Sequence, residues 1–292
     1  MRKLASRSKS LDIWLALPAL SILVALIALP MAGLMILSLA DDFKAGDSFE
    51  NLLSGGFGLT NFSRFANDDF VIGRLLRTLA IGAIVTLGTL LLGIPLSIAI
   101  WKMSGRIKAI ILALVLTPLL VSIVVSAYGW SVLLGQRGLI NDALLSLGLI
   151  GKPLKLMHSD FAIVIGLVHI LLPFMVLNLL AALERVPSAA LEAAATLGAS
   201  PLRVHAFVTL PLASAGIRSG VLLVFSLAVS AFVTPTILGG NGTPVFSMVV
   251  YEQFSASFQW AYGAALAISL LLITGMIVAL YVTSSRPSVH AR

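Results

Sequence analysis

The 292-residue sequence contains no cysteine and only four histidines. Without thiolates a disulfide framework, an iron–sulfur cluster and any Cys-based zinc site are excluded, and four imidazoles leave little for other metal chemistry. Charge is equally scarce. Asp, Glu, Lys and Arg make up 11% of the chain, under half of the roughly 25% typical of soluble domains, too little to cover a water-facing globule. No charged residue falls in the middle of any long apolar stretch, which argues against a proton-coupled carrier. The basic residues do not cluster on polar helices between aromatics, as a nucleic-acid surface requires. There is no Gly-x-x-x-x-Gly-Lys-Ser/Thr loop to cradle ATP phosphates. Nor are there paired carboxylates, or a nucleophile and base in register, so an enzyme is disfavoured.

What the chain has in abundance is apolar surface: 59% hydrophobic residues and a mean hydropathy of +1.06. Six stretches are long enough to cross a hydrocarbon core of roughly 30 Å, which takes about 20 helical residues. They lie near Ile13–Ala40, Leu75–Trp101, Ile107–Leu134, Phe161–Leu183, Ile217–Leu238 and Ala261–Val282. Their continuous apolar runs lack the alternating polar face of a membrane β-barrel, so the expected fold is an all-α membrane protein with six transmembrane helices. Arg2, Lys3, Arg7 and Lys9 precede the first span as in a signal peptide. Its apolar run exceeds the roughly 7–15 residues of such a peptide and no small-residue cleavage site follows, so it reads as a retained anchor.

Charge sets the expected orientation, because Lys and Arg are held on the cytoplasmic side during insertion. With the N-terminus inside, inner segments carry twelve basic and three acidic residues, net +9, and outer segments seven and nine, net −2. Both termini are therefore expected in the cytoplasm. The chain divides into a tail at 1–12, the first span at 13–40, an outer loop at 41–74, a five-span core at 75–282 and a tail at 283–292. In the first outer loop Asn61, Phe62, Phe65 and Phe70 among charges suggest a short helix in the membrane interface. Another outer loop, 239–260, is poor in charge and opens on Gly239-Gly240-Asn241-Gly242-Thr243-Pro244. It is expected to turn back and line a protein cavity, where irregular backbone is tolerated.

The inner loop 184–216 is too long and too apolar to be a plain connection. Pro187 starts and Gly198 stops a short Ala-rich helix, and Ser200-Pro201 start a second, expected to reach about Phe207 and to close at Leu210-Pro211. A helix, a sharp bend and a helix outside the bilayer make a docking element. Glu192-Ala193-Ala194, then Gly198, Val208 and Leu210-Pro211 at the same spacing, resemble the EAA motif of bacterial ABC importer permeases, with Val208 where Ile is usual. Thr234-Pro235, Leu238-Gly239-Gly240, Tyr251-Glu252-Gln253-Phe254, Trp260 and Gly263-Ala264-Ala265 resemble the C-terminal signature of the spermidine/putrescine-type branch. Pro118, Ser122, Tyr128, Trp130, Leu133-Leu134-Gly135, Gly138 and Asn141 resemble that branch's pattern around the third span. One position departs: many members carry Arg two residues before that Tyr, and this chain has Ser126. The branch is also similar to permeases for opines, phosphonates and other small polar solutes.

The resemblance implies a type I importer permease in a bacterial inner membrane. It implies a second permease subunit, two nucleotide-binding ATPase subunits below, a periplasmic solute-binding protein above and surrounding lipid, with no cofactor. It makes the helix with Glu192, Ala193, Ala194 and Gly198, followed by Leu210 and Pro211, the coupling helix that enters a cleft of the ATPase, and it turns the Ser126–Tyr128 region toward the solute path. The implied task is import of a small polar solute, polyamine-like or related; the rival is a secondary transporter or channel not powered by ATP. From the residues alone, Ser226, Ser230 and Thr234 mark one helical face, either path or helix packing. Phe232, Tyr251 and Trp260 are stacking groups or interface anchors. Glu252 and Asp160 are the acidic groups placed to meet a cationic solute. His169 and Asn178, nine residues apart in the fourth span, point to opposite faces and read as packing.

Overall fold

A computed structural model describes residues 2–284 other than 42, 45, 49, 51, 53, 54, 241 and 243, with side chains from residue 17 onward. Asn241, Thr243 and the tail beyond Ser284 lie outside them. The chain is almost entirely helical and forms two compact units, Met1–Asp69 with Val250–Leu272, and Phe70–Val249 with Ile273–Arg292.

In the first unit, α1 (Arg2–Leu39) extends the first span back through the segment expected as a tail. None of its apolar window is buried, as suits a helix that is apolar all round. Its end is pinned by the outer loop: Ala40 pairs with Phe57, and Gly58 N–H donates to the Leu39 carbonyl at 2.8 Å. Buried Asn61 donates to the Ala40 carbonyl at 2.8 Å. Asn61 lies in the first turn of the short helix α2 (Thr60–Ala66), the element expected there. Arg64 of α2 lies 4.0 Å above the Tyr262 ring and donates to Gln259 Oε1 at 2.7 Å.

The second unit is a bundle built on α7 (Asp160–Leu183), the fourth span. It takes in α3 (Asp69–Lys102), α4 (Gly105–Leu120), α5 (Ile123–Leu134), α6 (Leu139–Ser146), α8 (Ser188–Thr196), α9 (Pro201–Leu212), α10 (Ser214–Val229) and α11 (Val233–Gly239). The helices α12 (Phe246–Ser255) and α13 (Trp260–Ser284) contribute to both units. Over half of α7's span is buried, 56%, which makes it the axis of the core. Leu167, Ile170, Leu171, Met175 and Leu179 of α7 pack with Ile81 and Val85 of α3 and Val224 and Ala228 of α10. Lipid tails are as apolar as Leu, so helices associate through close packing, and small residues supply it. Gly216 shows how close: a Cβ there would stand 2.4 Å from Ala182 Cβ and 2.5 Å from the Asn178 carbonyl oxygen on α7.

Two spans expected as continuous helices are broken. The stretch Ile107–Leu134 divides into α4 and α5 at Val121 and Ser122, which are extended. Pro118 sits in the last turn of α4, where its missing N–H and its ring weaken the ladder, and the helix ends two residues on, at Leu120. The stretch Ile217–Leu238 divides into α10 and α11 around Ser230–Phe232. Pro235 is tolerated because a first turn needs no donor there; in an unbroken helix its ring would strike the Ala231 carbonyl. Ser247 donates to that carbonyl at 2.7 Å instead. Ser226, Ser230 and Thr234 therefore do not share one continuous helix face. Among the described residues five helices are long and apolar enough to cross a bilayer, or six if Pro201–Leu212 and Ser214–Val229, bent by 70°, count as one.

Candidate functional site

The loop after α7 folds into a bracket. Val186 at its start and Ala213 at its end are both buried and pack together with Leu183, Ile98, Trp101 and Leu191. That cluster fixes α8 by its Leu191 face and leaves the opposite face in solvent, with Glu192, Ala193 and Gly198 exposed and Ala194 half-buried. Gly198 ends the helix with φ +78, a left-handed conformation that side chains resist. Its N–H donates to the Ala195 carbonyl at 3.0 Å, and Ala199 N–H reaches the Ala194 carbonyl at 3.1 Å. Ser200 and Pro201 then start α9 as expected. The expected close at Leu210-Pro211 is wrong: the helix runs on to Leu212 through a π turn at His205–Thr209. Leu210 N–H donates five residues back, to the His205 carbonyl, and this widened turn makes room for the Pro211 ring. Leu210 is half-buried and Pro211 exposed.

Three large apolar side chains stand out on this bracket: Leu197 is 88% exposed, Leu202 80% and Phe207 77%. They flank the Gly198 bend in sequence, as does exposed Glu192, and exposed apolar groups of this size suit a protein partner. Beneath the bend runs a groove of about 400 Å³ lined by Trp101, Lys102, Leu191, Ala195, Pro201 and His205, among others. Burial, and secondarily the Lys102 charge, hold the His205 imidazole below its ordinary pKa. At neutral pH it is uncharged, its Nδ1 3.1 Å from Thr209 Oγ1, and Lys102 supplies the positive charge among the lining residues.

A larger cavity, about 740 Å³, opens where α4 breaks into α5. Its wall is mainly apolar, with Thr117, Ser126, Trp130 and His169 as polar points. Trp130 Nε1 donates to His169 Nδ1 at 3.2 Å, and the rings meet edge to face with centroids 5.7 Å apart. Of the path candidates in this unit, only Ser126 lies on that wall. Tyr128 is 59% exposed away from it, Ser230 spends its hydroxyl on the Ser226 carbonyl at 2.9 Å, Phe232 is half-buried beside the α10–α11 break, and Thr234 is 2% exposed with its methyl against Gly166. In the other unit Tyr251 and Glu252 are exposed on α12, and the Trp260 indole donates to the Phe254 carbonyl at 3.3 Å. Asp160 is paired through one carboxylate oxygen with Arg77, and its side chain is 56% exposed. Asn178 accepts from Ser219 at 2.9 Å and is packing, as expected. His169, also expected to be packing, is instead on the cavity wall. Being the one imidazole inside a span was the signal for it.

Part of the third-span pattern proves architectural. A Cβ at Gly138 would stand 2.4 Å from the Val132 carbonyl oxygen. Asn141, fully buried, donates to the carbonyls of Gly135 at 2.9 Å and Leu154 at 3.0 Å and accepts from Leu154 N–H at 2.8 Å. Gly135 to Asn141 therefore shape the loop that follows α5.

No protein-family model matches the chain. The spermidine/putrescine transport system permease protein PotB of Escherichia coli K12 is 34% identical over 230 residues, covering 79% of this chain and 83% of that protein. The protein named as the 2-aminoethylphosphonate transport system permease PhnU of Salmonella paratyphi A is 27% identical over 241 residues, covering 82% and 83%. Among solved structures, a chain of a bacterial ABC transporter that imports the acidic polysaccharide alginate matches with a TM-score of 0.79 at 18% identity, across 99% of this chain and 100% of that one. The last is a likeness of fold. The first, carried over most of both chains, shows the family: this chain belongs to the permeases of binding-protein-dependent ABC importers, in their spermidine/putrescine-type branch.

Proposed function

We propose that the chain is a multi-pass subunit of a bacterial inner membrane, with six spans and both termini in the cytoplasm. In this reading 1–12 and 283–292 are cytoplasmic, 41–74 is periplasmic and 75–282 is the permease core. The net +9 of the inner segments against −2 of the outer supports the orientation. The bracket of α8 and α9 is the coupling element. ATP is hydrolysed on separate subunits, and their closure moves the bracket as a rigid body because Val186, Ala213 and Leu191 tie it to the span ends. Glu192, Ala193, Ala194 and Gly198 touch the ATPase, and Leu210 and Pro211 hold the α9 turn behind them. A periplasmic binding protein delivers a small polar organic solute, polyamine-like or related, to a path shared with a second permease subunit. Ser126, Tyr128, Ser230, Phe232, Thr234, Tyr251, Glu252 and Trp260 are its candidate residues. The absence of charge in mid-span favours this over an ion-coupled carrier.

The observation that carries the reading is the exposed face around Gly198, with Glu192, Leu197, Leu202 and Phe207 outside an anchored bend. The chain has no cysteine, so Leu197→Cys is a unique thiol. A short thiol-to-amine cross-linker is expected to join it to the ATPase subunit in assembled transporter, whereas Leu120→Cys, on the 85% exposed end of α4, stays unlinked. Equal linking at both positions, or at neither, contradicts the docking assignment.

A further inference from the structure

The cavity at the α4–α5 break has a polarity that its chemistry fixes. An indole N–H can only donate, so the Trp130 bond to His169 Nδ1 requires that nitrogen to be unprotonated. The imidazole is then neutral with its proton on Nε2, and the edge-to-face contact holds the ring in place. Nδ1 is used, so what His169 has left to give is an Nε2–H donor. Ser126 and Thr117 add hydroxyls, and no lining residue is acidic or carries a fixed positive charge. A fully cationic solute would find no counter-charge on this wall. The His169 carbonyl, whose helical donor would be residue 173, loses it because that residue is Pro173, which also lines the cavity.

From this geometry we infer that the cavity is a solute site in which His169, oriented by Trp130, donates from Nε2 to an anionic oxygen of the passenger, a carboxylate or phosphonate. An ammonium on the same solute takes the His169 carbonyl. The inference rests on the permease reading and narrows its solute from polyamine-like to acid-bearing. His169 and Trp130 become specificity residues, and Ser126 a second donor. In a site of low polarity, a group that reads a substrate by hydrogen bonding rejects the analogue that lacks the partner.

The test uses the complete transporter, with binding protein, both permease positions and ATPase, reconstituted in vesicles. The probes are 4-aminobutyrate, 2-aminoethylphosphonate and putrescine, the last matched in size but without an acidic group. At least one acid-bearing probe is expected to enter in preference to putrescine. His169→Leu raises the KM for that probe about tenfold or more, His169→Gln, whose amide N–H reaches the same place, keeps it within about threefold, and Trp130→Phe falls between. Recovery of the assembled complex as a single monodisperse peak stays at the wild-type level in all three, a readout that loss of folding would move. Preference for putrescine, entry of neither acid-bearing probe, or equal KM values for His169→Leu and wild type overturns the inference. Wild-type vesicles whose ATPase is not stimulated by the binding protein would instead refute the permease reading, so the two failures are distinguishable.

Discussion

Gly198→Pro is expected to abolish ATP-dependent uptake while the protein still inserts and keeps its helices. The residue adopts φ +78 and donates its N–H to the Ala195 carbonyl at 3.0 Å. Proline fixes φ near −65° and has no N–H, so both features are lost, at a cost of roughly 3 kcal/mol or more. The bend between α8 and α9 then cannot form, and exposed Leu197 and Glu192 before it lose their arrangement relative to Leu202 and Phe207 after it. The equilibrium for the docked shape shifts by more than about a hundredfold. Gly198→Ala isolates the conformational part: nothing lies within 4 Å of the added Cβ, so its cost is the left-handed backbone alone, about 1–2 kcal/mol, and coupling falls by roughly tenfold. Glu192→Lys tests the charge. In the proposed docking Glu192 faces a cation of the ATPase, so the change is expected to remove a charge-assisted contact worth about 1.5–3 kcal/mol and to replace attraction with repulsion. All three are read as uptake per ATP hydrolysed in vesicles with equal amounts of inserted protein. Full coupling in Gly198→Pro would remove the assignment of α8.

Gly216→Val is expected to damage the molecule in a different way, by preventing the bundle from closing. The added Cβ meets Ala182 Cβ at 2.4 Å and the Asn178 carbonyl at 2.5 Å. The carbonyl is backbone of the most buried helix and cannot step aside. Overpacking of this kind costs about 1–3 kcal/mol where the surroundings yield and more where they do not. Gly220 is the control one turn along the same helix: its Cβ meets Met175 Sδ at 2.7 Å, the far part of a flexible side chain that can rotate. In detergent, Gly216→Val should be recovered mainly as aggregate, and Gly220→Ala as a monodisperse peak melting a few degrees lower. Equal recovery of the two would mean that α7 and α10 are not in the contact described.

The periodicity of the chain made most of this legible. Long apolar runs marked the helices because spanning segments must satisfy their own backbone. Pro187, Gly198 and Ser200-Pro201 marked the bracket because each supplies a conformation or a cap that other residues do not. The two breaks were missed for the opposite reason. At Val121–Ser122 and Ser230–Phe232 the chain stays apolar, so hydropathy carries no mark of the interruption, and a proline sits three or four residues to one side. Pro211 misled in the same way: a π turn upstream absorbed it. Thr234 and Ser230 read equally as path or as packing, because hydroxyls are visible in a sequence while their partners are not. One is buried against Gly166 and the other bonds its own helix. His169 was discounted because its partner Trp130 is 39 residues away, a pairing that only the packing of α5 on α7 brings about.

In the proposed function this chain is a conduit whose energy enters from an ATPase through the bracket of α8 and α9. Its most direct test is solute accumulation in sealed vesicles holding the permease with and without its ATPase subunits, in the presence of binding protein and with no ion gradient. Accumulation that needs both ATP and the ATPase subunits, and that Gly198→Pro eliminates, is the predicted result. Accumulation by the permease alone under a proton or sodium gradient, indifferent to ATP and to Gly198→Pro, would contradict the account.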